Sequence, residues 1–281
     1  MRKIQESVLC GYFHGDAHGS TKDDSQSATN KPQTDMYEHR GVTKFGQHVY
    51  WYPRVEDVPE GFSIYLAHEF FDALPIHKFV KNKEGEWREI LIDINDKSID
   101  LFRFVQSKFT TPALKLIDMK EDYRKKAIEI SPKTGVIIQH LSDRIDKFGG
   151  GALIADYGRD EPAEDSFRAF KNHKIHDVLK DPGNADLTAD VDFSYMRKFC
   201  SEHTIAYGPV SQRDFLHSLG IELRHKKLSE NSSEIKRDLD LAYHSLTDEN
   251  KMGTRFKFFS IFPRTMLPIY DQFPPAGFQN S

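Results

Sequence analysis

Hydrophobic positions in this chain fall into short runs and helical stripes separated by polar punctuation, and their spacing predicts a mixed α/β domain. Residues 62–67 (FSIYLA) form a mostly apolar run of strand length, read as a buried strand, with His68-Glu-Phe-Phe-Asp72 at its C-terminal end. Residues 77–106 hold three further apolar runs. Turn signals at 82–85 (NKEG) and 95–98 (NDKS) separate them, which predicts an antiparallel meander. Ser131 and Pro132 open a helix whose predicted inner face is Val136, Ile137, Leu141, Ile145 and Phe148. Three glycines, 149–151, end that helix, and residues 152–155 (ALIA) read as a second buried strand closing on Asp156-Tyr-Gly158. A helix followed by a strand with polar residues just beyond it is the rhythm of a parallel α/β sheet.

Three more helical stripes follow. One starts near Asp192 with Phe193, Met196 and Phe199/Cys200; one spans 211–219 with Phe215, Leu216 and Leu219. The third spans 233–246 with Ile235, Leu239, Ala242 and Leu246. Residues 256–262 (FKFFSIF) predict a last strand, stopped by Pro263. Residues 1–40 read as a flexible N-terminal segment, because 14–37 are almost free of apolar side chains and cannot offset their ordering entropy. His14 and His18 lie in that stretch and read as solvated, not as metal ligands. The expected organisation is one domain over 41–270 with an insertion near 77–125 and a tail at 271–281.

Composition narrows the function. The 281 residues carry 39 basic and 43 acidic side chains, a net charge of −4, so there is no basic excess to neutralise nucleic-acid phosphates. No run approaches the ~20 apolar residues of a membrane span, and membrane insertion is not expected. Two cysteines, Cys10 and Cys200, make neither a disulfide framework nor a zinc-cysteine site. The first ten residues fit neither a secretory signal nor a mitochondrial presequence.

In open parallel sheets, ligands collect beyond the strand C-termini. Two acidic clusters fall there, Glu69 with Asp72 and Asp156 with Tyr157; carboxylates so placed either hold a cationic substrate or cap the following turn. Residues 167–193 are dense in His, Asp and Arg and read as a binding loop beside the crevice. Its candidate contacts are Arg168, His173, His176, Asp177, Asp186, Thr188 and Asp192. His173 and His176 at i, i+3 suit a metal or hydrogen bonds, and the lack of a third ligand at a recognisable spacing favours the latter. Asp192 is also placed to cap the helix after it.

Five motifs in order resemble those of the MidA family, the mitochondrial complex I assembly methyltransferases. They are 68–77 (HEFFDALPIH), 150–158 (GGALIADYG), 170–179 (FKNHKIHDVL), 186–193 (DLTADVDF) and 251–256 (KMGTRF). The resemblance covers roughly 41–265 and implies a Rossmann-like class I methyltransferase fold with an antiparallel β insertion. It also implies S-adenosylmethionine as cofactor, no metal, an arginine on a complex I subunit as methyl acceptor, and a matrix location. Glu69, Asp72 and Asp156 are then the expected catalytic carboxylates. Such enzymes place a glycine-rich loop after their first strand, whereas here glycines 149–151 precede one. The fold is therefore expected to be incomplete at the N-terminus, with the cofactor-binding residues encoded upstream of Met1. A non-catalytic binding factor for a complex I subunit is the alternative; a nucleic-acid base methyltransferase is a distant third.

Overall fold

The computed structural model describes residues 5, 8–10, 37, 39–95, 101–117, 125–231 and 235–279. The stretch 14–36 with His14 and His18, most of the turn at 95–98, and Ser233 lie outside the described residues. Packing divides the chain into Met1–Glu60 and Gly61–Ser281. The first of these units contains a hairpin. That hairpin pairs β1 (His39–Val42) antiparallel with β2 (His48–Trp51). Thr43 closes its turn, accepting from Gln47 N at 3.1 Å through its hydroxyl and from Gly46 N at 2.9 Å through its carbonyl.

In Gly61–Ser281, β3 (Ser63–His68) leads into a meander of β4 (His77–Lys81), β5 (Trp87–Ile94), β6 (Phe102–Gln106) and β7 (Ala127–Ile130). Helix α1 (Pro132–Phe148) feeds the long strand β8 (Gly150–Arg159). Next come β9 (Arg168–Lys171), β10 (Lys174–His176), β11 (Asp186–Thr188), β12 (Val191–Asp192) and α2 (Phe193–Lys198). The last part holds β13 (Thr204–Ser211), α3 (Gln212–Ser218), α4 (Ile221–Asn231), α5 (Lys236–Thr247) and α6 (Met252–Arg255). Strand β14 (Phe256–Pro263) and α7 (Leu267–Tyr270) end it.

Strand β8 is the axis of the central sheet. It pairs parallel with β3 over Gly150–Ala155 and parallel with β12 at Gly158–Arg159, both on one edge. Its other edge takes β14, antiparallel over Ala152–Tyr157, and β13 adds outside β14. With both edges paired and α1 packed on it, β8 needs apolar side chains on both faces, which is why residues 152–155 read as a buried strand. The strand runs further than that reading, through Asp156 to Arg159, so Asp156 and Tyr157 sit within the sheet and not beyond it.

Other expectations shift with the packing. Ser131 caps α1, accepting from Thr134 N, but the buried face is Ile137, Ile138, Leu141 and Ile145, while Val136 is 55% exposed. Strand β3 forms where predicted, yet Phe62, Ile64 and Leu66 are each 73% exposed. Among the described residues β3 pairs only with β8. The stripe in α5 is only partly buried, since Ile235 and Ala242 face solvent; it packs against α4, a helix the sequence reading did not anticipate. The meander has its own small core, Phe79, Trp87, Ile117, Ile128 and Ile130. Strand β7 extends this sheet past the expected insertion limit by pairing with β4.

Gly158 sets the closeness of β8 and β12: a Cβ there would lie 2.0 Å from the Val191 carbonyl oxygen. Because the obstacle is backbone, it cannot be relieved by a side-chain rotation. Gly158→Ala is expected to cost about 2–3 kcal/mol, the upper range for overpacking. A urea denaturation series showing a loss below about 0.5 kcal/mol, the ordinary level for a surface change, would contradict this.

Candidate active site

The turn after β3 is assembled on one carboxylate. Glu69 N donates to the Ala155 carbonyl at 3.0 Å, extending the β3–β8 pairing, and Glu69 itself has φ +48. That left-handed step, unusual for a residue with a Cβ, turns the next three N–H groups inward. Phe70, Phe71 and Asp72 donate to Asp156 Oδ2 at 3.2, 3.0 and 3.3 Å, and Tyr157 N donates to Oδ1 at 2.9 Å. Asp156 is completely buried. Burial first, and the nearby Asp72 carboxylate second, push its pKa up to about 7 against the pull of these donors.

Asp72 forms the next layer. Its Oδ2 accepts from the Thr188 hydroxyl at 2.8 Å and from the Tyr157 hydroxyl, and those two hydroxyls also touch. Ala189 N donates to the Asp72 carbonyl at 3.0 Å, tying the end of β11 to the turn. Asp72 Oδ1 is buried and has no partner among the described residues. Burial and the Asp72 carboxylate hold the Tyr157 hydroxyl well above its ordinary pKa, so it stays a donor. The Tyr157 ring is flanked by the Arg168 guanidinium at 5.0 Å, the Arg255 guanidinium at 5.7 Å and the edge-on Phe256 ring at 5.4 Å. Asp190 holds both arginines, at 2.8 and 3.2 Å. Beneath this, buried Glu129 accepts from Ser166 N at 2.9 Å and Phe167 N at 3.3 Å and pairs with Lys78 at 3.3 Å.

The structure therefore gathers Asp72, Asp156, Tyr157, Arg168 and Thr188 at one place. Glu69 belongs to the same turn, with its carboxylate half exposed 3.8 Å from His68. The remaining predicted contacts lie elsewhere. Residues 167–193 are not one continuous loop: β9 pairs with β10 and β11, while 177–185 connect β10 to β11 outside the strands. Asn172 and His173 turn the first pairing at φ +52 and +59, the left-handed pair that two-residue hairpins require. His173 is exposed at that turn, His176 pairs with Asp181 at 3.2 Å, and Asp177 accepts from Leu179 N at 3.0 Å. Asp186 is exposed on β11. Asp192 is occupied as the cap of α2, accepting from Tyr195 N at 3.0 Å and Ser194 Oγ at 2.6 Å. Asp190 falls inside the predicted binding stretch 167–193 without having been singled out as a contact, and sequence reading missed Arg255 and Glu129 as site residues. Asp190 and Arg255 lie inside the resembling motifs 186–193 and 251–256, which was the available signal.

Glycines 149–151 do not form a cofactor cradle. A Cβ on Gly150 would lie 1.9 Å from the Ser63 carbonyl oxygen and one on Gly151 2.9 Å from the Phe262 ring, so strand packing uses them. Nor is any group of three or more His, Cys, Asp or Glu side chains among the described residues placed to hold a metal ion. No helix among them is long and apolar enough to cross a membrane.

The fold is similar to that of a solved superfamily member from Burkholderia thailandensis bound to S-adenosyl-homocysteine. The TM-score is 0.62 at 22% identity, covering 76% of this chain and 56% of that one. Sheet and helices form a Rossmann-like α/β fold. Residues 1–210 match the family described as "Putative S-adenosyl-L-methionine-dependent methyltransferase", and the chain belongs to that family. Among curated relatives, the Danio rerio protein named "Protein arginine methyltransferase NDUFAF7, mitochondrial" is 46% identical over 259 residues, 88% of this chain and 61% of the relative. The Homo sapiens protein of the same name is 47% identical over 230 residues, 81% of this chain and 52% of the relative. The chain spans little more than half the length of these relatives.

The pKa of Asp156 gives a signed prediction. Its folded value, about 7, lies above the ordinary 3.8, so the stability it contributes is fully present below 3.8 and is lost as pH rises through about 7. Thermal melts of the wild type are expected to fall between about pH 4 and pH 7 relative to those of Asp156→Asn, which has no proton to release there, and to run parallel above that. Parallel profiles for the two proteins would show that Asp156 is ionised throughout.

Proposed function

We propose that this chain carries the acceptor side of an S-adenosylmethionine-dependent protein arginine methyltransferase, acting in the mitochondrial matrix on a subunit of respiratory complex I. The family, and relatives whose names give arginine methylation and a mitochondrial setting, support the reading. The observation that carries it is the Asp72 carboxylate, with one oxygen fixed by Tyr157 and Thr188 and the other without a partner, in the turn after a parallel strand. In open α/β sheets that is where a ligand sits.

Arginine is a poor nucleophile because its guanidinium is protonated, with a pKa above about 12. A carboxylate that takes its N–H bonds polarises the group and orients one nitrogen, so positioning supplies much of the rate. In this family S-adenosylmethionine supplies the methyl group. Asp72 binds the guanidinium, and Glu69, exposed on the same turn, offers a second carboxylate. Asp156 acts one layer below as a positioning residue, since its oxygens are already taken by main-chain donors. Tyr157 and Thr188 hold the Asp72 rotamer, and Arg168, with Asp190 and Arg255, holds Tyr157. The exposed His173, Asp177 and Asp186 are assigned to docking of the protein substrate; His176 and Asp192 serve their own hairpin and helix. A non-catalytic binding factor is the second reading, favoured by the use of glycines 149–151 in strand packing.

Transfer of radiolabelled methyl to arginine peptides, assayed with this chain fused to the remaining length of the Danio rerio relative, is the test. Asp72→Asn is expected to lower the rate at least about 100-fold, the scale of a lost charge-assisted contact of ~2.7 kcal/mol. Unchanged turnover in that variant would remove Asp72 from the site. Calorimetric titration of the same wild-type fusion with S-adenosylmethionine separates the readings: heat supports the enzyme, and its absence supports the binding factor.

A further inference from the structure

A cleft of about 350 Å³ ends on Asp72 and is otherwise lined mainly by apolar side chains. One wall comes from the meander, with Ile90 and Ile92 of β5 and Phe104 of β6; the facing wall comes from Phe167 and Leu187. Ile92 and Phe104 are a cross-strand pair and, like Leu187, stand about half exposed at 54%, 46% and 47%, an apolar surface at the rim. The floor is Asp72 with Thr188 and Ala189.

Two observations define what this cleft takes. The first is charge. Its charged lining residues are Asp72 and Lys78, and Lys78 is already paired with Glu129 at 3.3 Å and with Asp165. The unmatched charge is therefore negative. The second is the Asp72 carboxylate itself: 9% exposed, with Oδ1 buried and partnerless. A buried carboxylate oxygen without a donor is costly, and a cation that donates to it recovers that cost. Apolar walls above a buried anion match a side chain with a hydrocarbon stem and a cationic head. The volume lies within the range of small-ligand sites, about 300–1,000 Å³.

We infer that this cleft is the entry channel for the acceptor arginine, its stem between Ile90, Ile92 and Phe167 and its guanidinium at the Asp72 carboxylate. The 77–106 meander is thereby the specificity element, favouring arginines flanked by apolar residues that rest on Ile92, Phe104 and Leu187. A guanidinium is preferred to an ammonium because its planar fork bonds one carboxylate oxygen and leaves another nitrogen free, and it is the more weakly hydrated cation. This inference deepens the arginine methyltransferase reading and rests on it for the identity of the acceptor.

The test is binding of acetylated peptides Gly-Leu-Xaa-Leu-Gly, with Xaa arginine, citrulline or lysine, to this chain, followed by titration calorimetry or NMR. Arginine is expected to bind at least tenfold more tightly than the neutral citrulline and more tightly than lysine. Asp72→Asn is expected to bring the arginine peptide down to the citrulline level. Ile92→Arg, at an exposed position, is expected to weaken it at least tenfold with an unchanged circular dichroism spectrum. That variant decides the matter alone where Asp72→Asn does not fold. Equal binding of arginine and citrulline, equal binding of lysine, or wild-type affinity in Ile92→Arg overturns the inference. The two readings also fail separately. Arginine methylation by the fusion protein that Ile92→Arg leaves untouched removes the cleft and keeps the enzyme. Cleft binding without any methyl transfer keeps the cleft and removes the enzyme.

Discussion

The site depends on a carboxylate that never meets solvent. Asp156 sits inside the central sheet and satisfies both oxygens with four main-chain N–H groups, three of them from consecutive residues of the turn after β3. An isolated carboxylate at that depth would be prohibitively costly, and the converging donors are what make it tolerable. The arrangement works in both directions. The turn has no helical or strand partner for those N–H groups, and Asp156 supplies one; in return the backbone at Asp72 is held against β8. Glu69 takes the left-handed conformation that the geometry demands.

From that anchor the layers follow by strand alternation. Tyr157, next along β8, points to the opposite face from Asp156 and meets the Asp72 side chain, together with Thr188 from β11. Gly158 then lets β12 approach β8 closely enough to bring the segment after Thr188 into parallel register. The three letters of Asp156-Tyr-Gly158 thus have three separate physical jobs: a staple for a turn, a donor for a carboxylate, and room for a backbone. Arg255 and Phe256, from the far end of the chain, close over Tyr157 with Arg168 and Asp190. The position of Asp72 is held directly by two segments distant in sequence, 156–157 and 188–189.

Much of this was readable before the coordinates, and the reasons differ by element. Strands β3, β5, β8 and β14 and helix α1 announce themselves because their apolar spacing is long and regular; Ser131 and Asp192 announce their helices because a cap is a local chemical event. The strands β9–β11 were not read as such. Each is only three or four residues long, too short for its alternation to stand out, and Asn172 and His173 turn the first pairing with positive φ and no glycine. The inner face of α1 was misread by a fraction of a turn, because periodicity gives the stripe and the neighbours decide its centre; Ile138 won over Val136.

Carboxylates were identifiable by type and by their place near strand ends, but their division of labour was not. Asp156 and Asp72 look alike in a sequence; one is spent on backbone donors and the other keeps an oxygen free, and only the number of N–H groups converging on each tells them apart. Composition and motif order, being properties of the chain alone, determined the fold class and the family. The tertiary structure alone decided which side chains share a cavity, since contacts between residues 72, 157, 188 and 255 depend on strand register and crossover paths that no local pattern encodes.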